Sequence, residues 1–396
     1  MKNSLYMLWF EGICPDRLQK VPSLVHLCKY GVDLRLTPFP LLEAGQCYYQ
    51  LLTGTGAGKF GRFDAVYPEL YRACPSTELP EGAVGRLLPD ILHTYKLATL
   101  SLHADNVRML DALQDQALDF ALLRVRAADL SDDELDMYVE RCLELVAPSG
   151  HLLVLTDVWS PAPHAFVNLN DFLAEIGLLE VGKPRTTESI AWPETLAYSL
   201  GNGQLWINLR GREKQGTVNA GQEYQDVCSA LIREICDNWL DPRTQKPVVE
   251  KVLRKDEIFI GDYLFKAPDL IVIYKPGYAA SARAQALDFD GASVLAQSEP
   301  EEQTACEPYA RLIGSGPALV SSFAAEARLV DILPSALYML DQAIPRRIDG
   351  SIISSMFTLA YLQQTAVRYI DDEANMLSDE EEGLIVDRLR DLGYLG

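Results

Sequence analysis

The residues whose types and spacing first suggest chemistry are Gly54-Thr55-Gly56-Ala57-Gly58-Lys59. Closely set glycines free backbone N–H groups to cradle a phosphate, and a lysine at the end of such a run can reach its oxygens. The spacing fails as a nucleotide loop: Thr53 sits where the first glycine belongs, and Phe60 sits where a serine or threonine would hold magnesium. A turn is expected instead. The histidines, His26, His93, His103, His151 and His164, are dispersed; His103 and His151 fall near or within apparent strands and read as core or loop residues.

Eight cysteines (Cys14, Cys28, Cys47, Cys74, Cys142, Cys228, Cys236 and Cys306) occur without any CxxC pair. In a chain of 396 residues that pattern suits reduced, mostly buried thiols and a cytoplasmic location. A net charge of −21 repels nucleic acid and anionic lipid, and no basic patch interrupts it. Neither nucleic acid nor a membrane is an expected partner. No apolar run approaches the ~18 residues that suggest a membrane-spanning helix. Met1 to Phe10 is apolar, short and followed at once by Glu11-Gly12, so it reads as a buried first strand and not as a leader.

Short apolar runs alternate with helix-like stretches, the pattern of a parallel sheet covered on both faces. Strands are expected at Leu5 to Phe10, Ala98 to Leu102, Phe120 to Val125, His151 to Thr156, Leu270 to Tyr274 and Ala310 to Gly314. Leu135, Val139, Cys142, Leu143 and Val146 recur at helical spacing within Asp132 to Val146. Residues 160–265 carry more turns, more polar residues and Trp192, Trp206 and Trp239. They suggest an inserted cap between a core of 1–159 and 266–396. Ser378 and Glu381 have capping-box spacing ahead of an apolar stretch, Leu384 to Leu392, which predicts a short docked helix at the end.

Several motifs, in order along the chain, give it a resemblance to a known family. They include Leu51-Leu52-Thr53-Gly54 with Gly58-Lys59-Phe60-Gly61-Arg62-Phe63-Asp64, Trp192-Pro193-Glu194-Thr195-Leu196-Ala197-Tyr198, and Ile207-Asn208-Leu209-Arg210-Gly211-Arg212-Glu213. Gly261-Asp262-Tyr263, Ala267-Pro268-Asp269-Leu270, Gly314-Ser315-Gly316-Pro317, Val330-Asp331-Ile332-Leu333-Pro334-Ser335 and Asp349-Gly350 follow, and Arg388 to Leu395 closes the series. The chain thereby resembles the predicted type I phosphodiesterase and nucleotide pyrophosphatase-like branch of the alkaline phosphatase superfamily. The resemblance implies an α/β fold with an alkaline phosphatase-like core, a mostly parallel sheet flanked by helices, and the inserted cap.

Active members of that family hold two metal ions with aspartates and histidines, and a threonine or serine attacks phosphorus between them. Set against that pattern, the first-strand acid corresponds to Glu11 and the nucleophile position to Ala44, whose methyl cannot attack. Glu43, Cys47 and the more distant Thr37 are the neighbouring alternatives. The histidine positions fall on Asp133, Val158 and Cys306, while Asp129 and Asp157 keep the acids. The resemblance therefore leaves a pocket of Glu11, Asp129 and Asp157, expected at the carboxyl ends of strands, with Arg124 and Arg126 as candidate partners. Acids this close repel one another by several kcal/mol at low effective dielectric, so partial protonation, pairing with a base or one hard cation is required.

No cofactor is expected, beyond room for one magnesium or manganese ion, and a zinc pair is not. The leading expectation is a catalytically degenerate phosphodiesterase-like protein that binds a small ligand or a protein partner. Two alternatives remain open: a repurposed enzyme using the same acids and Cys306 without the two metals, and a divergent metal-dependent phosphodiesterase.

Overall fold

Leu5, Met7 and Trp9 bury on one side of the first strand, and Tyr6, Leu8 and Phe10 bury on the other. Side chains alternate across a strand, so such a strand needs a covering layer on each face. In the computed structural model it has both. The structure describes residues 3–37, 50–56, 59, 66–67, 72–73, 87–114, 116–158, 163–261, 264–281, 283–284, 287–297, 309–321 and 323–371.

The large sheet is built from β1 (Leu5–Glu11), β2 (Val32–Thr37), β3 (Thr99–His103), β4 (Phe120–Arg126), β5 (His151–Thr156), β6 (Ala310–Ser315) and β7 (Phe323–Arg328). Their spatial order is β7-β2-β6-β5-β1-β4-β3. Strand β1 pairs in parallel with β4 and β5, β3 pairs in parallel with β4, and β7 with β2. Only β6 runs against its neighbours β2 and β5. The mostly parallel sheet with helices on both faces is as expected. Two strands of this sheet, β2 and β7, are not among those the sequence suggests. In β2, Asp33 and Arg35 interrupt the apolar residues, and Asp33 pairs with Arg311 of β6; in β7, alanines alternate with Glu326.

One face of the sheet packs under Leu51, Leu52 and the helix Ile332–Met339. The other packs under Pro22–Tyr30 and Asp132–Leu145. The helix Asp132–Leu145 starts at a capping box: Ser131 Oγ accepts from the Glu134 amide, and Glu134 Oε2 accepts from the Ser131 amide at 2.8 Å. It buries Leu135, Tyr138, Val139 and Cys142, whereas Leu143, expected on that face, is 38% exposed. Ser378, Glu381 and Leu384 to Leu392 lie outside the described residues.

Leu270–Tyr274, expected in the large sheet, belongs to a separate antiparallel one. It lies between Val249–Arg254 and Gln204–Ile207, with Ala197–Ser199 beyond. The helix Gln222–Asn238 covers this sheet through Tyr224, Cys228, Leu231 and Ile235. Beside it, Ala165–Val167 pairs with both Tyr278–Ala280 and Val294–Ala296. Residues 270–296 are thus hydrogen-bonded into strands drawn from 165–254.

At the heart of the antiparallel sheet lies a buried charge cluster. Asp269 accepts from Arg212 Nη1 at 2.9 Å, Arg212 Nη2 at 2.6 Å, Lys255 Nζ at 3.1 Å, the Tyr224 hydroxyl at 2.9 Å and the Ile207 amide at 2.8 Å. Glu213 accepts from Arg212 Nε at 2.8 Å, the Tyr198 hydroxyl at 3.0 Å and the Leu209 amide at 2.8 Å. Asn208 Nδ2 donates to the carbonyls of Trp192, Thr195 and Gln215. Burial alone pushes Asp269 up, but Arg212 and Lys255 outweigh it and hold the carboxyl well below the usual range. Glu213, in which burial wins over Arg212, is pushed up to about 7.

Removing one member of such a cluster leaves the others buried and uncompensated. Arg212→Met is therefore expected to cost about 3 to 5 kcal/mol of unfolding free energy, measured by urea denaturation. An unchanged midpoint would show that the cluster carries no net stability.

Candidate functional site

The carboxyl ends of β1, β4 and β5 lie side by side because β1 pairs with both neighbours along its length. Glu11 closes β1, Arg124 and Arg126 close β4, and Asp157 follows β5 directly. Arg124 Nε donates to Glu11 Oε1 at 2.7 Å, and Nη2 reaches the same oxygen. The Arg124 guanidinium also lies 5.9 Å from the centre of the Trp9 ring. Of the two arginines offered by the sequence, Arg124 takes the acid. Arg126 is exposed.

Asp157 is held differently. Its Oδ1 accepts from the Trp9 indole Nε1 at 2.8 Å and its Oδ2 from the Gly12 amide at 2.7 Å. Gly12 adopts φ +73°, a left-handed conformation that glycine tolerates best, and a Cβ there would come within 3.2 Å of the Ala128 side chain. Burial raises the Asp157 carboxyl above its usual value, overcoming the opposite pull of Gly12 and Trp9, while Glu11 adds to the rise and Arg124 reduces it.

Asp129 does not join these two acids. It ends the short 3-10 turn Ala127–Asp129 after β4 and is exposed. Asp133 lies in the first turn of the helix Asp132–Leu145, also exposed. Val158, half-buried, packs against the core under the sheet. Among the described residues, no three His, Cys, Asp or Glu side chains converge to hold a metal. At the strand ends one acid is ion-paired, the other bonds an indole and an amide, and a valine follows it. Glu43, Ala44, Cys47 and Cys306 lie outside the described residues, and Thr37 ends β2 with its hydroxyl donating to the Ala327 carbonyl at 3.3 Å.

In the glycine-rich segment, the described donors Gly56 and Lys59 turn inward. The Gly56 amide donates to Asp349 Oδ2 at 2.8 Å, and Lys59 Nζ lies 2.5 Å from Asp349 Oδ1 and 2.7 Å from the Arg347 carbonyl. The Asp349 and Gly350 amides donate to the Gly54 carbonyl at 2.8 and 3.0 Å. Gly350 lies so close to the Val330 carbonyl that a Cβ would overlap it. Three of the separated motifs are therefore one another's packing partners. The histidines do not enter the site: His103 is exposed at the end of β3, and His151 is buried at the opposite end of β5.

The fold is a mixed α/β one, with a mostly parallel central sheet flanked by helices. No protein-family profile matches the chain, and no curated protein matches it in sequence. Among solved structures it is similar to murine ectonucleotide pyrophosphatase/phosphodiesterase 5 in an inactive form complexed with AMP, with a TM-score of 0.55 at 12% identity over 92% of this chain and 100% of that one. Another structure of the murine protein gives 0.54 at 12% identity over the same shares. The human protein gives 0.52 at 12% identity over 88% of this chain and 97% of that one. Likeness at this identity concerns the fold.

Because the Asp157 carboxyl is raised, its neutral form is the one the fold favours. That contribution is present below the ordinary carboxylate value of 3.8 and is lost as pH rises through the raised value. The Trp9 indole N–H resonance is expected to shift with a midpoint above 3.8 and to lose that titration in Asp157→Ala. A Trp9 resonance indifferent to the substitution would break the assignment.

Proposed function

We propose that this protein is a catalytically degenerate phosphodiesterase-like protein that uses the strand-end pocket to bind a small ligand or a protein partner. The observation that carries this reading is the Glu11–Arg124 pair: a guanidinium of the chain itself neutralises the acid that active members of the resembling family use for metal. Asp157, committed to Trp9 and Gly12, supports the same reading. No resident metal pair is assigned, and the free thiols of Cys14, Cys28, Cys142, Cys228 and Cys236 suit a reducing, cytoplasmic compartment. Among the described residues no helix is long and apolar enough to cross a membrane.

A second reading, a repurposed enzyme, is favoured by one observation. Asp157 sits at a strand end with its carboxyl raised, a property suited to proton donation.

The test is metal content after incubation with zinc, manganese and magnesium, together with hydrolysis of a nitrophenyl phosphodiester. The expected result is no tightly held zinc or manganese and no turnover. Arg124→Ala, which leaves Glu11 without its guanidinium, is expected to bind manganese more tightly than the parent chain. A pair of tightly held ions with chelator-sensitive hydrolysis would overturn the proposal in favour of a divergent hydrolase. Metal-free turnover lost in Asp157→Asn would favour the repurposed enzyme.

A further inference from the structure

His151 opens β5 with only 1% of its surface exposed, far from the strand-end pocket. Its Nε2 accepts a hydrogen bond from the Ala318 amide at 3.2 Å. An imidazole nitrogen that accepts carries no proton, so the ring is neutral and its proton sits on Nδ1. That Nδ1 is buried, and the Ser4 backbone is the group that favours a proton on it.

The turn that donates to His151 is shaped around the ring. Gly316 has φ +150°, and a Cβ there would come within 2.4 Å of His151 Cδ2. The turn also carries a later piece of chain. The Thr358 amide donates to the Ala318 carbonyl at 2.9 Å, the Val320 amide donates to the Met356 carbonyl at 3.0 Å, and Leu319 bridges Phe357. His151 thus bonds, through one amide, the turn after β6 on which Met356–Thr358 is laid, a turn closed also by the Leu319 amide on the Gly316 carbonyl.

We propose that His151 is an acid-operated latch: protonation at Nε2 abolishes the only acceptor it offers Ala318 and releases the turn after β6 together with Met356–Thr358. A protonated imidazole is a donor at both nitrogens, so Nε2 would then face the Ala318 amide donor to donor, with a buried charge added. Around the ring lie the Ser4 backbone ahead of β1 and the Gly316–Ala318 turn. No charged side chain among the described residues contributes to its proton affinity; burial lowers it, and the Ser4 backbone acts weakly against burial. The sign follows from that lowering. The neutral ring's contribution is complete above the ordinary value of 6.5 and is lost as pH falls from there through the lowered folded value.

Hydrogen exchange followed by mass spectrometry tests the latch on the full chain. With intrinsic rates corrected, amides of 314–320 and 354–358 are expected to lose protection as pH falls from about 7 to about 5, by about tenfold for each unit separating the open and closed imidazole values. Amides of β1 and β4 should not follow. His151→Gln, whose side-chain oxygen accepts the same bond and does not titrate, should be flat over that range. An equal loss of protection in His151→Gln and the parent chain would overturn the proposal. So would a His151 imidazole that titrates at or above 6.5 in histidine-selective NMR of the parent chain, a measurement that stands even if the variant fails to fold.

Discussion

From Leu5 to Phe10, strand β1 is buried on both faces, and both of its backbone edges are taken, by β4 on one side and β5 on the other. Full burial of side chains the size of Leu5, Met7, Leu8 and Phe10 stabilises by roughly 1.5 to 3 kcal/mol each. That gain is available only if two helix layers close over a sheet that is already paired. A parallel neighbour demands a long crossover, which is why helices separate β1, β4 and β5 in the chain and then cover them in space. Once β1 is fixed, its last residues have no freedom. Trp9, Glu11 and Gly12 must emerge where β4 and β5 also end, and Arg124 and Asp157 meet them there.

The antiparallel sheet solves a different problem. It buries acids and bases together, with Arg212 and Lys255 against Asp269 and Glu213. Arginine suits the centre because its planar fork donates along two sides at once. One side spans the Asp269 carboxylate, and Nε turns to Glu213. Residues spread over Tyr198 to Asp269 become mutually dependent through a single guanidinium.

Much of this was legible in the sequence. Apolar runs marked β1, β4 and β5 because strands buried on both faces leave no room for polar alternation. The same logic concealed β2 and β7, whose charged and small residues resemble loop composition until the Asp33–Arg311 pair is seen across the sheet. It also misassigned Leu270–Tyr274, since an apolar run shows burial but not which sheet receives it. In the candidate site, Glu11 and Asp157 were legible as acids at strand ends, and Arg124 as a partner. Trp9 was not: an indole in an apolar strand reads as core, and only its Nε1 bond to Asp157 shows the second role. Asp129 was expected nearby because spacing along the chain cannot register the 3-10 turn that carries it outward.

The clasp between Gly56 and Asp349 joins residues 293 positions apart. Closing so long a loop carries an entropic cost that grows with its length, and contacts of this kind form slowly relative to local ones. During synthesis the glycine-rich segment emerges long before its carboxylate partner exists. Its amide and its lysine must wait, hydrated, for most of the chain to be made. The amino-terminal half therefore passes through a stage in which part of its native bonding is unavailable.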